Sequence, residues 1–333
     1  MDCLPVLQGD DGPLSDEPER IYLSMQEVFD SKTEPPRCAG VIRWRNLADE
    51  TDSGIAAEYK KMACRVSNAG AGSLWLLGFR NLRQARCAVL GARECNLSVY
   101  VCFSLGKETG ETLDGDNLLA CLLCLQGLGI KGFGLSGAAE QINAEISKLL
   151  PYTSITFAAM PNIDQPFAAW GKCLRQLFDA GVRAIGPCPC TDEISQIIEP
   201  IVKLYDRIAV KLPPRPEDAP ILLADSRNVF YLEEDFSLSE SIECEVDMLA
   251  RFVEQEDAGY DVLLIEIRDR VDAENFAANR DMPRAAVCFL ADDPDILEIC
   301  LRAYTGRALI DARSGMPEQE LFDIAGRYGA MIR

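Results

Sequence analysis

Two cysteines separated by one proline, Cys188 and Cys190, are the strongest candidates for chemistry in this sequence. They end an apolar run that is typical of a buried parallel strand. Because the reacting groups of parallel α/β proteins lie at the carboxyl ends of strands, these two thiols stand where chemistry is expected. The sequence has no histidine. Acid–base or nucleophilic work must therefore come from cysteine, carboxylate, tyrosine or lysine side chains.

Polar residues follow several other predicted strands. The candidates for binding a substrate are Ser136 and Asn162 in the first part of the chain, and Asp225, Asn228, Glu266 and Asp311 in the second part. The second group is acidic and has arginines beside it. A strand-end mouth of this composition could bind a polar, partly cationic small molecule or a divalent cation.

A helix, a glycine and a short apolar run follow one another six times along the chain. The glycines of these joints are Gly70, Gly129, Gly181, Gly259, Gly306 and Gly329. Glycine just past a helix end takes the left-handed conformation without a Cβ clash, and the apolar run after it is typical of a buried parallel strand. The pattern predicts an α/β protein with a parallel sheet.

The remaining elements are predicted from periodicity and from start and stop signals. Further strands are expected over 4–8, 39–44, 98–104, 154–160, 221–224 and 285–290. Helices are expected over 116–128, 167–180, 193–206, 241–255, 294–304 and 317–328. Pro200 should kink or split the third of these helices, because proline removes a backbone donor and crowds the preceding turn.

A proline-rich segment predicts a domain boundary. Residues 212–220 read LPPRPEDAP, with four prolines in nine positions, a composition typical of a stiff linker. We therefore expect one domain over 1–212 and a second over 213–333. The second has at most five strand candidates, and an eight-stranded barrel cannot close on five.

The charge balance excludes some classes of partner. With 33 Lys and Arg against 53 Asp and Glu, the chain carries a formal charge of −20. Nucleic acid and anionic membrane surfaces both favour a positive face, so neither is expected as a partner. The 14 cysteines lie mostly in apolar runs, and the sequence shows neither a signal peptide nor a stretch long enough to cross a bilayer. We expect a cytoplasmic protein in a reducing compartment.

Four segments of the first part resemble the homocysteine S-methyltransferase family. They are SVYVCFSLGKETGETLDGDNLL, GIKGFGLSGAAEQI, SITFAAMPNIDQP and AGVRAIGPCPCTDEI, all within 70–212. The stretch 221–333 resembles the first half of the pterin-binding barrel that follows this module in corrinoid-dependent methionine synthase. The resemblance implies an α/β fold with a TIM-barrel-like (β/α) first domain, followed by an incomplete (β/α) half-barrel.

The resemblance also implies a zinc ion held by three cysteine thiolates. This chain has Ser136-Gly137 where the family places the first cysteine, and it has Cys188 and Cys190, split by Pro189, where the family places an adjacent pair. Cys102, near the end of another strand, is a conceivable third ligand. A catalytic zinc site takes three protein ligands. The sequence therefore leaves open a zinc site of Cys188, Cys190 and Cys102, or thiols without a metal, and the departures favour the second.

The pterin module departs from its family as well. The family's Asp and Asn contacts to the pterin ring are mostly replaced, with Asp225 and Asn228 nearest to retained, so folate binding is not expected. The histidine that holds cobalt in the corrinoid module has no counterpart in a chain without histidine, so no corrinoid domain is expected.

Two functions remain open. The first is methyl transfer to a thiol of the homocysteine S-methyltransferase type, with a small amino-acid thiol as substrate. The second is a non-catalytic binding or accessory protein derived from a methionine synthase scaffold. Because an incomplete barrel leaves apolar edges or faces uncovered, we also expect a homo-oligomer or a protein partner at the second domain.

Overall fold

The computed structural model describes residues 2–8, 19–23, 39–47, 50–162, 167–189, 192–205 and 219–333. The chain forms two compact units. The barrel unit comprises Met1–Leu118 and Ile130–Pro214, and the sheet unit comprises Leu119–Gly129 and Arg215–Arg333. Residues 212–218 of the predicted linker lie outside the described residues, so the boundary at 212 stays a prediction. Residues 119–129 lie within the barrel unit in sequence but belong to the sheet unit, so the two units are not contiguous stretches of the chain as predicted.

Eight strands close the barrel unit in the order β1-β2-β8-β7-β6-β5-β4-β3. They are β1 (Asp2–Gln8), β2 (Glu19–Leu23), β3 (Ala39–Arg43), β4 (Ser73–Phe79), β5 (Ser98–Ser104), β6 (Gly132–Gly137), β7 (Thr156–Pro161) and β8 (Val182–Pro189). Strands β3 to β8 run parallel in sequence order, and β1 is parallel to β3. The TIM-barrel-like prediction is confirmed. The barrel differs from a regular (β/α)₈ fold at β2, which pairs antiparallel with both neighbours.

Among the described residues, five helices lie between these strands and a sixth follows β8. They are α1 (Asp52–Asn68), α2 (Leu82–Ala92), α3 (Leu118–Gly127), α4 (Ala139–Leu149), α5 (Phe167–Asp179) and α6 (Asp192–Tyr205). Helix α1 begins where the Thr51 hydroxyl accepts a hydrogen bond from the Gly54 amide at 3.1 Å, which satisfies one amide of the first turn. Helix α6 runs unbroken through Pro200. The predicted split is therefore wrong, because one missing backbone donor costs less than the packing that holds the helix.

The inside of the barrel is filled by side chains. The described core cluster includes Trp75, Tyr100, Cys102, Ala158 and Ala184. The rings of Trp75 and Tyr100 stack with centroids 4.3 Å apart. Because alternate residues of each strand point inward, this barrel is a packed core below its rim, and space for a ligand is expected only at the ends of the strands.

The sheet unit is built on five parallel strands in the order β11-β12-β13-β14-β15, with a separate antiparallel hairpin of β9 and β10. These strands are β9 (Ile221–Ala224), β10 (Val229–Leu232), β11 (Leu238–Glu243), β12 (Val262–Glu266), β13 (Ala286–Leu290), β14 (Leu309–Ile310) and β15 (Met331–Ile332). The helices that follow them are α7 (Leu249–Asp257), α8 (Arg270–Asn279), α9 (Pro294–Ala303) and α10 (Glu318–Tyr328).

The two faces of the five-stranded sheet have different coverings. The hairpin packs on one face, where Leu223 and Leu232 join a cluster that includes Val262, Leu264 and Cys288. Helices cover the other face. There the ring of Phe276 on α8 packs edge-on against the ring of Phe289 on β13, with the ring centroids 4.9 Å apart. The hairpin thus occupies part of the face that a complete barrel would enclose.

One predicted helix of this unit is wrong in its first part. Residues 241–243 belong to strand β11, and α7 begins only at Leu249. The alternation of apolar and acidic residues here resembles a helical face, but parallel pairing with the buried strand β12 supplies the backbone hydrogen bonds. This edge strand and the hairpin strand β10 are absent from the sequence-based prediction.

The predicted glycine joints are confirmed at five of six positions. Positive φ angles occur at Gly70, Gly129, Gly181, Gly259 and Gly329. Gly306 has a different role. A Cβ atom built there would lie only 2.0 Å from the carbonyl oxygen of Ala224. Glycine is required at Gly306 for the close approach of two backbone segments.

Helix α3 comes from the chain between β5 and β6 but belongs to the sheet unit. Its residues from Leu118 to Leu125 are nearly all buried, as expected for a helix that is apolar all round. A Cβ atom built on Gly127 would lie 3.0 Å from the carbonyl oxygen of Gly329. The C-terminal ends of α3 and α10 thus meet glycine to glycine.

Among the helices of the described residues, none combines the length and the apolar character that a bilayer crossing requires.

Candidate functional site

Polar side chains line the carboxyl-terminal mouth of the barrel. In the register of the sheet, Ser104 of β5 pairs with Ser136 of β6, which in turn pairs with Met160 of β7. Because Tyr100 and Cys102 face the barrel interior, alternation places Ser104 on the same face. All three residues of this row are half-buried. The structure therefore brings Ser136 to the mouth, as the sequence predicts.

A cavity of about 140 Å³ lies at the end of β7, between the start of α4 and the first half of α5. It is lined by Ala138, Ala139, Pro161, Asn162, Trp170, Cys173 and Leu174. Asn162 is fixed at its edge, because its backbone amide donates a 2.8 Å hydrogen bond to the carbonyl of Gly137. A cavity of this size is comparable to one that holds a benzene-sized group. It can accept the apolar part of a small ligand whose polar part reaches Asn162.

Sequence reasoning missed Trp170, Cys173 and Leu174 as site residues. All three lie on α5, spaced so that they share one face of the helix. The strand-end rule finds residues that directly follow strands, whereas these residues lie on a helix that packs beside α4 and α6. The spacing was visible, but it is equally typical of an ordinary buried helix face.

Cys102 lies below the mouth and is wholly buried. Its Sγ atom fills the space beside Gly134, where a Cβ atom would approach it to 2.2 Å. Burial raises the pKa of the Cys102 thiol, so it stays protonated at neutral pH. Cys102 is thus part of the packed core below the rim. Its part as third zinc ligand stays a prediction.

The other two predicted ligands fall at the edge of the described residues. Cys188 lies in β8, where its Cα pairs with Arg20 of β2, and Cys190 lies outside the described residues. Within the part of the chain that the structure describes, no group of three thiols or carboxylates could hold a metal ion. The zinc site of Cys188 and Cys190 stays a prediction, and the described residues by themselves do not form a three-thiolate site.

The predicted site residues of the second part lie at opposite ends of the sheet unit. Glu266 and Asp311 are at the carboxyl ends of β12 and β14, at one edge. Asp225 instead follows β9, whose last residue, Ala224, bridges to Arg307 at the amino-terminal end of β14. A mouth that includes Asp225 is therefore wrong. The reason is that β9 pairs antiparallel with β10 and does not join the parallel sheet.

Asp225 and Asn228 have a structural role in the hairpin turn. One carboxylate oxygen of Asp225 accepts 2.6 Å hydrogen bonds from the backbone amides of Arg227 and Asn228, and the other accepts one from the Asn228 side chain at 2.8 Å. This is the arrangement of an Asx turn, in which the aspartate replaces backbone partners. Their hydrogen-bonding capacity is largely used within the turn.

Asp311 is the most buried carboxylate at the opposite edge, with 1% of its surface exposed. The Arg313 guanidinium donates hydrogen bonds of 2.7 to 3.1 Å to both carboxylate oxygens, and Arg333 Nε lies 3.7 Å from Oδ2 of Asp311. Burial raises the pKa of Asp311, but the hydrogen bonds from Arg313 and the nearby positive charges outweigh burial, so the pKa lies below its usual range. Asp311 is thus an ionised, fully paired group.

Glu266 lies two strands from Asp311, about 10 Å away across the sheet. It accepts a 2.5 Å hydrogen bond from the hydroxyl of Ser241. On the same edge Arg268 bridges Glu243 and Asp272. The acids of this edge are thus largely matched by arginines and hydroxyls, and no ligand is needed to balance their charge.

The sequence matches no protein family model, and it has no significant match among curated proteins. Solved structures similar to the chain include the apo form of the homocysteine methyltransferase MmuM from Escherichia coli, with 20% identity, 50% of this chain and 62% of that chain covered, and a TM-score of 0.43. The metallated form of MmuM gives 21% identity, coverage of 51% and 60%, and a TM-score of 0.40.

An unrelated activity appears among the similar structures as well. The carboxyl transferase domain of Rhizobium etli pyruvate carboxylase gives 11% identity, coverage of 55% and 38%, and a TM-score of 0.36. The chain spans about three fifths of the length of MmuM. At these identities and TM-scores the similarity establishes neither a family nor an activity. What the structure itself defines is an α/β protein with a TIM-barrel-like unit and a second, parallel five-stranded sheet.

Proposed function

We propose that the barrel unit binds a small amino-acid thiol at its carboxyl-terminal mouth and that the protein transfers a methyl group to the sulfur of this ligand. The observation that supports the proposal is the cavity with Asn162 at its edge, next to the carboxyl end of β7, the end of the strands at which barrel enzymes bind their substrates. The aliphatic part of such a ligand suits the wall formed by Trp170 and Leu174. Its charged amino and carboxylate groups suit the hydroxyls and amide of the rim.

Methyl transfer to a thiol needs a thiolate and an activated donor. The ligand sulfur attacks the methyl carbon of a donor such as a sulfonium compound, the new carbon–sulfur bond forms as the donor bond breaks, and the thiol proton leaves to water. A free thiol has a pKa near 8.5, so only about a few per cent of it is thiolate at neutral pH. Ser136 and Asn162 orient the ligand and cannot lower this pKa by themselves.

A second candidate function is binding without catalysis. It is favoured by Ser136, which stands where the resemblance implies a cysteine, and by Cys102, whose protonated thiol is buried below the mouth. Such a protein would hold the same ligand in the same cavity and leave the sulfur unchanged. The two functions therefore share the binding site and differ in turnover.

The experiment measures binding and turnover on the same full-length protein. Calorimetry compares homocysteine with homoserine, which carries oxygen in place of the sulfur, and mass spectrometry then follows methylation of homocysteine by a sulfonium donor. Binding of homocysteine with formation of a thioether supports the transferase. Binding without product assigns the binding protein, and absence of binding to either compound refutes both.

Variants locate the ligand. Ala139→Leu places a larger side chain at the cavity wall, and Asn162→Ala removes the amide at its edge. A lost hydrogen bond of about 1 to 1.5 kcal/mol weakens binding about tenfold. Asn143→Ala is the matched control, because Asn143 lies on α4 but does not line the cavity. Equal affinity in all three variants would place the ligand elsewhere.

A further inference from the structure

Two cysteines of the barrel unit lie against each other away from the mouth. Cys64 is near the end of α1, and Cys95 ends a 3₁₀ turn, Arg93–Cys95, that precedes strand β5. Their Sγ atoms are 2.8 Å apart, which is about 0.75 Å more than a disulfide bond of about 2.05 Å. Both residues are half-buried, so a small reagent can reach them. They lie at the amino-terminal end of the strands, opposite the candidate site.

Several contacts hold the turn against α1 in this position. Lys60, Cys64 and Ser67 share one face of the helix. The Ser67 hydroxyl donates to the Cys95 carbonyl at 3.4 Å, Lys60 forms an ion pair with Glu94, and the Cys95 thiol also lies 3.8 Å from the Lys60 carbonyl. Contacts on both sides of the sulfur pair therefore fix its geometry before any reaction takes place.

We propose that Cys64 and Cys95 form a reversible disulfide by exchange with a low-molecular-weight disulfide such as glutathione disulfide. The thiolate of one of the two cysteines attacks one sulfur of the reagent, giving a mixed disulfide and releasing one glutathione thiolate, which takes up a proton. The other cysteine then loses its proton and attacks the protein sulfur of the mixed disulfide, releasing the second glutathione thiol. Two protein thiols and one glutathione disulfide thus become one protein disulfide and two glutathione thiols.

The environment of Cys95 affects both of these steps. Burial and the contact with Cys64 raise the pKa of Cys95 to about 12, although the nearby Lys60 ammonium opposes the shift. The contact between the two sulfurs thus favours a resting pair that holds its protons, and the geometry serves an attack that starts from either sulfur. Because the second attack is intramolecular and the sulfurs are already in contact, the mixed disulfide should be short-lived.

Other described cysteines provide a contrast within the same chain. Cys102, Cys244, Cys288 and Cys300 are buried, and burial raises the pKa of each of these thiols. Neither access nor ionisation favours their reaction. Oxidation of the folded protein should therefore favour the pair formed by Cys64 and Cys95 over these buried thiols.

The bond would tie α1 to the start of β5 around a loop that contains β4 and α2. Since the two sulfurs lie at the amino-terminal end of the strands, the bond should stabilise the unit and leave ligand binding at the mouth unchanged. The inference thus stands apart from the proposed function. Loss of ligand binding would not affect it, and absence of the disulfide would not affect the proposed function.

The test uses the folded full-length chain. It is equilibrated in mixtures of reduced and oxidised glutathione, quenched with acid, alkylated and digested with trypsin. Trypsin places Cys64 in the peptide 62–65, MACR, and Cys95 in the peptide 94–107, ECNLSVYVCFSLGK. The expected product is these two peptides joined with the loss of two hydrogens. Cys102, in the second peptide, is the internal control and should be alkylated only after unfolding.

Three outcomes overturn the proposal: both cysteines remain thiols, they accumulate as stable glutathione adducts, or they cross-link to other cysteines with equal frequency. Ser67→Ala tests the geometry without removing a thiol. Its hydrogen bond of about 1 kcal/mol holds Cys95 beside Cys64 in the thiol form, so its loss should lower the equilibrium constant for disulfide formation, by up to about fivefold. Ser147→Ala removes a comparable hydroxyl from α4 and should leave the constant unchanged. Equal effects of the two variants would also overturn the proposal.

Discussion

Replacing Asp311 by asparagine should destabilise the sheet unit by about 2 kcal/mol. Asp311 is buried at the end of β14, and its two oxygens accept three contacts from the Arg313 guanidinium and one from the Arg313 amide. Asparagine keeps the shape and one acceptor, but it removes the charge and turns an NH₂ group towards an arginine. Hydrogen bonds to charged groups contribute about 1.5 to 3 kcal/mol.

The size of this destabilisation depends on the different exposure of the Asp311 and Arg313 side chains. Asp311 has 2% of its side chain exposed, whereas Arg313 has 61% exposed. Breaking a wholly buried pair costs about 3 to 5 kcal/mol, because the remaining charge stays unpaired in the interior. Here the remaining arginine can turn to water, so the cost falls to about that of one charged hydrogen bond.

Hydrogen exchange of the backbone amides measures the loss of stability in the sheet unit itself. The three tryptophans, Trp44, Trp75 and Trp170, all belong to the barrel unit, so the midpoint of tryptophan fluorescence in urea reports on the barrel unit alone. The Asp311→Asn variant should lose about 2 kcal/mol of protection in β13 to β15. The control is Asp323→Asn, which removes the same charge from an exposed position of α10.

The pH dependence of this stability difference tests the same reasoning independently. The pKa of Asp311 is lowered in the folded chain, so its contribution is fully present above the ordinary carboxyl pKa and is lost as the pH falls through the lowered folded value. The difference between wild type and Asp311→Asn should therefore be constant near neutral pH and shrink only in acid. Equal protection in both proteins at neutral pH, or a difference that does not shrink in acid, would refute the reasoning.

Two further predictions concern the backbone and the thiol pair. Gly306→Ala should lower the free energy of unfolding of the sheet unit in urea by well over 1 kcal/mol, because its Cβ atom would lie 2.0 Å from the Ala224 carbonyl oxygen. Gly326→Ala on α10, whose Cβ atom would have nothing within 4 Å, should raise this free energy by up to about 1 kcal/mol. Equal effects of the two variants would contradict this prediction. Oxidation of Cys64 and Cys95 closes a loop of about 32 residues and should stabilise the barrel unit by up to about 3.7 kcal/mol on the loop-entropy relation, seen as a higher tryptophan fluorescence midpoint. A midpoint that does not move in the oxidised protein would show that strain cancels the gain.

The parallel architecture could be predicted because its signals are local. A glycine after a helix and an apolar run after the glycine are properties of about a dozen neighbouring residues, and Gly129 and Gly181 show the positive φ that the pattern requires. The strands that were missed, β2, β10 and β11, depend on pairing with distant segments. Long-range pairing leaves little trace in the periodicity of a short strand.

The candidate site was predictable only where a residue directly follows a strand. Ser136 and Asn162 were found in this way, and both lie at the mouth of the barrel. The same rule failed for Asp225, because a hairpin strand ends at the other edge of the sheet. Trp170 instead lies on α5, in the wall of the cavity next to the start of α4. Its place follows from the packing of α5, which no strand-end pattern contains.

The origin of α3 has a consequence for the order in which the chain can fold during synthesis. The helix leaves the ribosome with the barrel strands, but Gly329, which its Gly127 meets, is made about 200 residues later. At about 5 to 20 residues per second this leaves an apolar helix without its final neighbours for about 10 to 40 s. Until then a chaperone or transient collapse has to cover this helix, and a fragment that stops near Pro214 should precipitate.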